Sequence, residues 1–172
     1  MSELFSIQLQ NRQQQGRDGV WLDLPTTTEQ VQAALRQIGI SSDNPQGLFI
    51  SGYFAEEEKR FAIPYNMVLA SNVDELNFLA ARLETLSAGE RAELNAALQA
   101  PRSELSSIGR ITDFPENVDY YVHLPDVHGP AQLGDYYLNR SGMVDMPEEW
   151  KGGIDTAQFG RYVAQQEQGA FT

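Results

Sequence analysis

Apolar and polar residues alternate in two stretches near the N-terminus, Leu4 to Leu9 and Gly19 to Leu24. Alternation with a period of two residues is typical of a half-buried β-strand. The stretch between them is polar and long enough to be a hairpin connection, so the pattern predicts two antiparallel strands. Leu48 to Phe54 predicts a third strand in the same α/β unit.

A helical pattern follows Pro25, which ends the second predicted strand. Thr26 and Glu29 have the spacing of a capping box, in which each residue satisfies a backbone N–H of the other. The apolar residues that follow recur at helical spacing: Val31, Ala34, Leu35 and Ile38. Gly39 then provides a stop.

Two further capping boxes predict a pair of amphipathic helices in the middle of the chain. Asn72 with Glu75 begins the first, and Ser87 with Glu90 begins the second, which ends before Pro101. Their apolar faces consist of Val73, Leu76, Leu79, Leu83 and Leu86 in the first helix, and Leu94, Ala97 and Leu98 in the second. Residues 103–108 predict one further short turn.

The last third of the chain mixes strand and helix patterns. Asp119 to Leu124 is rich in β-forming residues and predicts a strand, whereas Gln132 to Arg140 predicts a helix closed by Gly142. That helix places Leu133, Tyr136 and Tyr137 on one face. Pro147 leads a short helical turn that includes Glu148, Glu149 and Trp150.

A final helix is predicted after Asp155, with Phe159, Tyr162 and Val163 inward and an end at Gly169. Gly160 lies inside that helix, at a cost of about 1 kcal/mol relative to Ala, which indicates close approach by a neighbouring element. Residues 170–172 predict the start of a strand. The fold class is therefore α+β, with three small domains: a sheet-plus-helix domain (1–62), a helical middle domain (63–107) and a C-terminal α+β domain (108–172).

Acidic residues outnumber basic residues by 24 to 12, which gives a net charge of −12 and a pI near 4.4. The excess is spread over the chain, with −3, −3 and −6 in the three predicted domains. With 41% apolar and 10% aromatic residues, the composition is that of a folded protein and not of a disordered acidic tail. Such a charge repels phosphate, so direct binding to nucleic acid is not expected.

The sequence contains no cysteine, which excludes disulfides and thiolate metal sites. No secretory pattern is present at the N-terminus, and no apolar run approaches the length of about 18 residues that a membrane span needs. A cytoplasmic protein without membrane association is therefore expected.

Motifs of catalysis are poorly represented. The sequence has no P-loop, nucleophile elbow or zinc-protease pattern, and His123, Asp126 and His128 are the one cluster that suggests a metal site. Pro125 and the glycine after His128 favour a strand end and a turn instead. Asp113, Glu116 and Asp119 could be paired acids for hydrolysis, but such pairs arise by chance in so acidic a chain. We expect no enzyme, metal or cofactor.

Several short strings occur together in an order that resembles the ArdA antirestriction family. In the C-terminal third these are residues 133–137 (LGDYY), 146–147 (MP), 154–155 (ID), 159–161 (FGR) and 169–172 (GAFT). Farther upstream, Trp21, Leu24-Pro25, residues 77–80 (NFLA) and residues 83–86 (LETL) also fit. The resemblance covers the chain from about Val20 onward.

The resemblance implies a protein without catalytic activity that acts as a DNA mimic. It implies an elongated chain of three small domains, a homodimer formed through the third, and carboxylates in place of phosphates. Such a protein occupies the DNA-binding groove of type I restriction-modification enzymes and protects incoming DNA of conjugative transposons and other mobile genetic elements. We call the acidic residues expected to form this surface the candidate carboxylates: Glu56, Glu57, Glu58, Asp74, Glu75, Glu84, Glu90, Glu93, Asp113, Glu116, Asp119, Asp126, Asp135, Asp145, Glu148 and Glu149.

Two alternatives remain at this point. The chain could be an acidic protein-interaction module of a mobile element that binds another basic DNA-binding protein. It could also be a small hydrolase that uses the region around His123 and His128. For each candidate carboxylate, moreover, a solvated helix face or turn explains an acidic residue equally well.

Overall fold

The computed structural model describes residues 3–14, 16, 18–41, 46–100, 103–117 and 121–171. Three strands form one antiparallel sheet in the order β2-β1-β3, where β1 is Phe5–Asn11, β2 is Val20–Leu24 and β3 is Leu48–Phe54. All three strands were predicted, and the third has the predicted bounds. Phe5, Ile7 and Leu9 point to the same face of β1 and are buried, as the alternation requires.

Helices make up most of the remaining regular structure. The helices of the first two thirds are α1 (Thr28–Gln37), α2 (Tyr65–Leu69), α3 (Val73–Glu84), α4 (Ala88–Gln99) and α5 (Ile108–Thr112). Short 3₁₀ turns lie at Glu57–Lys59 and Phe114–Glu116. The C-terminal part contains α6 (Pro130–Asp135), which continues as a π-helical turn (Tyr136–Arg140), then α7 (Glu148–Lys151) and α8 (Thr156–Gln166). The α+β class is confirmed.

The predicted helix starts are correct in the middle of the chain and shifted by one residue in α1. The Asn72 side chain caps α3 by accepting the Glu75 N–H at 2.9 Å, and its amide donates to the Glu75 carboxylate at 3.4 Å. The full box forms between Ser87 and Glu90, each of which accepts the backbone N–H of the other. Thr27, and not Thr26, caps α1, because its hydroxyl accepts the N–H of residue 30. Gly39, with φ of +72°, ends this helix in the left-handed region that favours glycine.

The described residues divide into two compact units. The N-terminal unit comprises those of Met1–Leu98 and Glu104–Tyr120, and the C-terminal unit those of Gln99–Ser103 and Tyr121–Thr172. The first unit includes the sheet together with the predicted helical pair. The division into three domains remains a prediction.

A continuous apolar core holds the N-terminal unit together. Ile7, Leu9 and Leu24 of the sheet are fully buried, and so are the inward residues of α3 and α4: Leu76, Leu79, Ala80, Leu83 and Leu94. At about 25 cal/mol per Å² of apolar surface, each such leucine contributes about 2 kcal/mol when it leaves water. Burying this face directs the polar faces of α3 and α4 toward solvent.

In the C-terminal unit α6 and α8 cross at two glycines. A Cβ on Gly160 would lie 1.8 Å from the carbonyl oxygen of Pro130, and a Cβ on Gly134 would lie 1.9 Å from that of Thr156. The close approach predicted for Gly160 is therefore confirmed. Leu133, Leu138 and Val163 are the buried large apolar residues of this unit in the part of the chain that the structure describes.

Three predictions for this unit need correction, and a helix of the N-terminal unit was not predicted. Residues 121–124 form no strand, and Val122 is 81% exposed; Asp119 and the residue after it lie outside the described residues. Tyr162 is exposed and not inward, because the face of α8 that meets α6 is that of Gly160 and Val163, and residue 162 points away from it. Residues 170 and 171 form no strand, and the predicted short turn at 103–108 is followed by an unpredicted helix, α5.

Candidate functional site

Fifteen of the sixteen candidate carboxylates lie within the described residues; Asp119 does not. Glu90 and Glu93 are partly buried. The other thirteen are exposed: Glu56, Glu57, Glu58, Asp74, Glu75, Glu84, Asp113, Glu116, Asp126, Asp135, Asp145, Glu148 and Glu149. Both compact units contribute to this set, so each unit presents carboxylates to solvent on its own.

The amphipathic pattern of α3 leaves its carboxylates outside the buried stripe. Leu76 and Leu79 are directed into the core, Asp74 lies on the opposite side, and Glu75 and Glu84 are exposed on the flanks of the stripe. Asp74 and Glu75 lie in the first turn of the helix, where the partial positive charge of the helix N-terminus stabilises a carboxylate. The fold thus leaves these two groups exposed at the helix N-terminus.

A second acidic element is the 3₁₀ turn of Glu57–Lys59 together with Glu56, which precedes it. Lys59 contacts the Glu56 carboxylate, with 3.0 Å between Nζ and Oε2. The pKa of the Lys59 ammonium lies above its usual value, mainly because of the hydrogen bond to Glu56 and then because of the charges of Glu56, Glu3 and Glu58. Lys59 is therefore a protonated cation within a group of carboxylates.

Four candidate carboxylates hold a cation in the described part of the chain. Arg82 contacts Glu116 at 2.6 Å and Lys151 contacts Glu148 at 2.6 Å, in addition to the pair at Glu56. The fourth contact, from Arg140 to Asp135, is longer at 3.9 Å, and the Asn139 amide also donates to that carboxylate. An ion pair has little net charge when seen from a distance, so each of these four groups resembles a bare phosphate less than an unpaired carboxylate does.

Glu90 contributes to the cap of α4. Its carboxylate accepts from the Ser87 hydroxyl at 2.6 Å and from the Ser87 N–H at 2.8 Å. These two bonds, the hydroxyl first, hold the pKa of Glu90 below its usual value. The Glu90 carboxylate therefore stabilises the start of α4, whatever else the acidic surface does.

The histidine cluster shows no metal-site geometry. No group of three or more histidine, aspartate or glutamate side chains close enough to hold a metal ion occurs among the described residues. The N–H of His128 donates to the side-chain oxygen of Gln132 at 2.7 Å, in the turn that leads into α6. His123 is partly buried, while Asp126 and His128 are exposed.

An open depression of about 530 Å³ lies in the N-terminal unit beside the start of α5. It is lined by Pro64, Asn66, Met67, Ala70, Ser71, Glu75, Ser106, Ser107 and Ile108. Glu75 is the one titratable side chain among them, so this lining offers a single carboxylate and no acid–base pair.

Three asparagine amides that fasten separate segments of the N-terminal unit to one another were not singled out for this role from the sequence. Asn77 of α3 accepts the N–H of Thr26 at 2.7 Å and donates to its carbonyl at 3.0 Å, which fastens the entry of α1 to α3. Asn95 of α4 accepts the N–H of Ala62 at 2.8 Å. Asn11 donates to the carbonyl of Ile38 at 2.9 Å. For Asn77 and Asn95, the sequence feature that could have indicated this role is a polar residue near the apolar stripe of a helix. Asn77 also lies in a string that resembles ArdA.

Comparison with protein families decides the classification. The model of the antirestriction protein (ArdA) family matches residues 15–172, which is nearly the whole chain. The chain belongs to the ArdA antirestriction family. No curated protein matches it. Membership in ArdA implies an antirestriction function and hence an interaction with restriction enzymes.

This ArdA-family chain contains, in its described residues, no helix long and apolar enough to cross a membrane.

Proposed function

We propose that this protein is a DNA mimic that binds in the DNA-binding groove of a type I restriction-modification enzyme and thereby protects incoming mobile-element DNA. The observation that carries the proposal is the set of thirteen exposed carboxylates in a chain of the ArdA family. Its action needs no catalysis, metal or cofactor, because occupancy of the groove is sufficient.

The electrostatics favour a basic protein groove as the partner. B-DNA carries one charge per roughly 1.7 Å of its axis, and a groove that binds it is lined with cations that phosphate neutralises. Exposed carboxylates, with a net charge of −12 per chain, offer those cations the same sign of charge. Complementary fields of this kind increase the association rate, and they weaken as salt screens them.

The candidate carboxylates are spread over several elements of both units. They lie on α3, on the 3₁₀ turn of Glu57–Lys59 and on elements of the C-terminal unit. We propose further that three small domains form an elongated chain, that two chains dimerise through the C-terminal domain, and that the protein acts in the cytoplasm. Binding energy is then spread over many weak contacts.

Transfer of unmodified phage DNA into a host with type I restriction tests the proposal. Expression of this protein should raise the efficiency of plating toward that of a host lacking restriction. A normal plating defect in cells shown to contain the folded protein would contradict the proposal. Binding to some other basic protein, with restriction unchanged, would indicate an acidic interaction module instead.

A variant in which four carboxylates are replaced by uncharged amides tests the role of charge. Glu57→Gln, Glu58→Gln, Asp74→Asn and Glu75→Gln together should reduce protection at least about tenfold, whereas each alone should change it less than about threefold, because many contacts share the binding energy. The matched control keeps every charge at the same positions: Glu57→Asp, Glu58→Asp, Asp74→Glu and Glu75→Asp. Equal loss in the control would show that side-chain shape, and not charge, matters there.

A further inference from the structure

Lys59 lies within an acidic part of the N-terminal unit. Its ammonium is 3.0 Å from the Glu56 carboxylate, and its side chain is 36% exposed while that of Glu56 is 64% exposed. Glu57 and Glu58 are exposed in the same turn, and the charges of Glu3 and Glu58 also act on Lys59. Arg60, the next residue, is exposed as well. The turn therefore presents three consecutive glutamates followed by two cations, one of which contacts a glutamate.

We propose that Lys59 is a built-in counterion that lowers the affinity of this acidic turn for a cationic protein groove; the inference rests on the proposed function. When the turn enters such a groove, Glu56 already has a cationic partner. Lys59 then faces the cations of the groove, and like charges in close contact oppose binding. The pair thus reduces the attraction that the three glutamates provide.

The contribution of Lys59 to the fold does not explain its position. The Glu56–Lys59 contact joins residues three apart at the surface, and exposed pairs of this kind are worth about 0–1 kcal/mol. Arg82 differs, because it joins α3 to the 3₁₀ turn of Phe114–Glu116 and is more enclosed than its partner Glu116. Substituting Lys59 should therefore change the charge of the surface with little effect on folding.

The effect is local, which separates it from a change in net charge. At physiological salt the screening length is about 8 Å, so a charge affects mainly the groove cations nearest to it. Arg36 provides the matched control in the same unit. It is exposed on α1, and its guanidinium donates to the backbone carbonyl of Gln32, so removing its charge releases no carboxylate.

The experiment measures competition between the full-length protein and DNA. A purified type I restriction-modification enzyme is bound to a fluorescein-labelled duplex that carries its recognition sequence, and the duplex is displaced by wild type, Lys59→Gln, Arg36→Gln or the double variant Lys59→Gln/Glu56→Gln at several salt concentrations. Thermal unfolding of each protein confirms that it is folded.

Lys59→Gln should bind about threefold to tenfold more tightly than wild type, with a steeper dependence on salt, because it gains a net negative charge at the turn. Arg36→Gln should change affinity less than about twofold. The double variant restores the local charge and should return to the affinity of wild type. Recovery there shows that charge, and not the shape of the lysine side chain, is responsible.

Equal tightening by Lys59→Gln and Arg36→Gln would overturn the inference, since net charge alone would then explain the result. Unchanged or weaker binding by Lys59→Gln would also overturn it. If wild type fails to displace the duplex, the proposed function fails, and the inference fails with it. Displacement by wild type without a specific effect at Lys59 refutes the inference alone.

Discussion

Each of the two compact units is stabilised internally in a different way. In the N-terminal unit, strands and helices bury a large set of aliphatic side chains, among them Ile7, Leu79 and Leu94. In the C-terminal unit, α6 and α8 approach until the backbone of one helix meets the other at Gly134 and Gly160. The first arrangement distributes stability over many contacts, whereas the second depends on two positions that have no space for a side chain.

Because of this difference, we expect the two units to tolerate substitutions to different degrees. An apolar core loses one contribution when one side chain is shortened, and the rest of the core remains. A helix crossing without space for a Cβ must separate when a methyl group is added, because the atoms in its way belong to backbone. We therefore expect the C-terminal unit to be the more sensitive to a small insertion and the N-terminal unit to be the more robust.

The largest effect is expected for Gly160→Ala. The added Cβ would lie 1.8 Å from the Pro130 carbonyl oxygen, so α6 and α8 must move apart, and we expect a loss of about 3 kcal/mol, enough to unfold a small unit. Hydrogen exchange of α6 and α8 measures this loss. Gly152→Ala is the control, because a Cβ there meets nothing within 4 Å. Similar protection in both variants would disprove the role of the crossing.

A comparable cost in free energy, but a milder structural effect, is expected for Leu79→Ala in the N-terminal unit. Leu79 is fully buried, and truncating such a leucine removes its contacts and leaves a cavity, at a cost of about 2–5 kcal/mol. The rest of the core should keep the unit folded at room temperature, with a lower midpoint in urea. Phe78→Ala on the exposed side of the same helix is the control. Complete unfolding by Leu79→Ala would remove the contrast between the units.

Asn77→Ala should cost less again. It leaves the N–H and the carbonyl of Thr26 without their partners, which we expect to lower the free energy of unfolding by about 1–3 kcal/mol. Asn66→Ala, at an exposed position of α2, should have little effect in the same urea titration. Equal effects of the two substitutions would show that the Asn77 hydrogen bonds do not stabilise the connection between α1 and α3.

The smallest effect concerns pH. The pKa of Glu90 is lowered in the folded state, so its contribution to stability is present above the usual value of 4.5 and is lost as pH falls through the lowered folded value. The difference in melting temperature between wild type and Glu90→Gln should therefore become smaller as the pH is lowered below about 4.5. Glu84→Gln is the control on α3. A constant difference between Glu90→Gln and wild type at all pH values would refute this.

Local patterns were sufficient for the strands and the long helices. Alternation predicted β1 and β2, and the residues at Leu48–Phe54 predicted β3. The capping residues Asn72 and Ser87 defined the starts of α3 and α4, because such features act within a few residues of the chain. The five-residue helices α2 and α5 were missed, since so short a segment has little helical stability of its own and forms against neighbouring elements.

The strand predicted at Asp119–Leu124 fails for the opposite reason in its described part. Its residues favour β-structure, but a strand needs a partner, and in the described chain the three paired strands all belong to the N-terminal unit. Propensity alone therefore gave the wrong answer where the tertiary fold provided no neighbouring strand.

The sequence by itself determined the acidic excess, the α+β class and the resemblance to ArdA, because composition and short-range order require no knowledge of distant contacts. It could also place Lys59 three residues after Glu56. Only the tertiary structure decided that Arg82 meets Glu116, 34 residues away, and that α6 and α8 meet at their glycines. These outcomes depend on which surfaces the core brings together, because residues distant in the sequence meet only when the chain is folded.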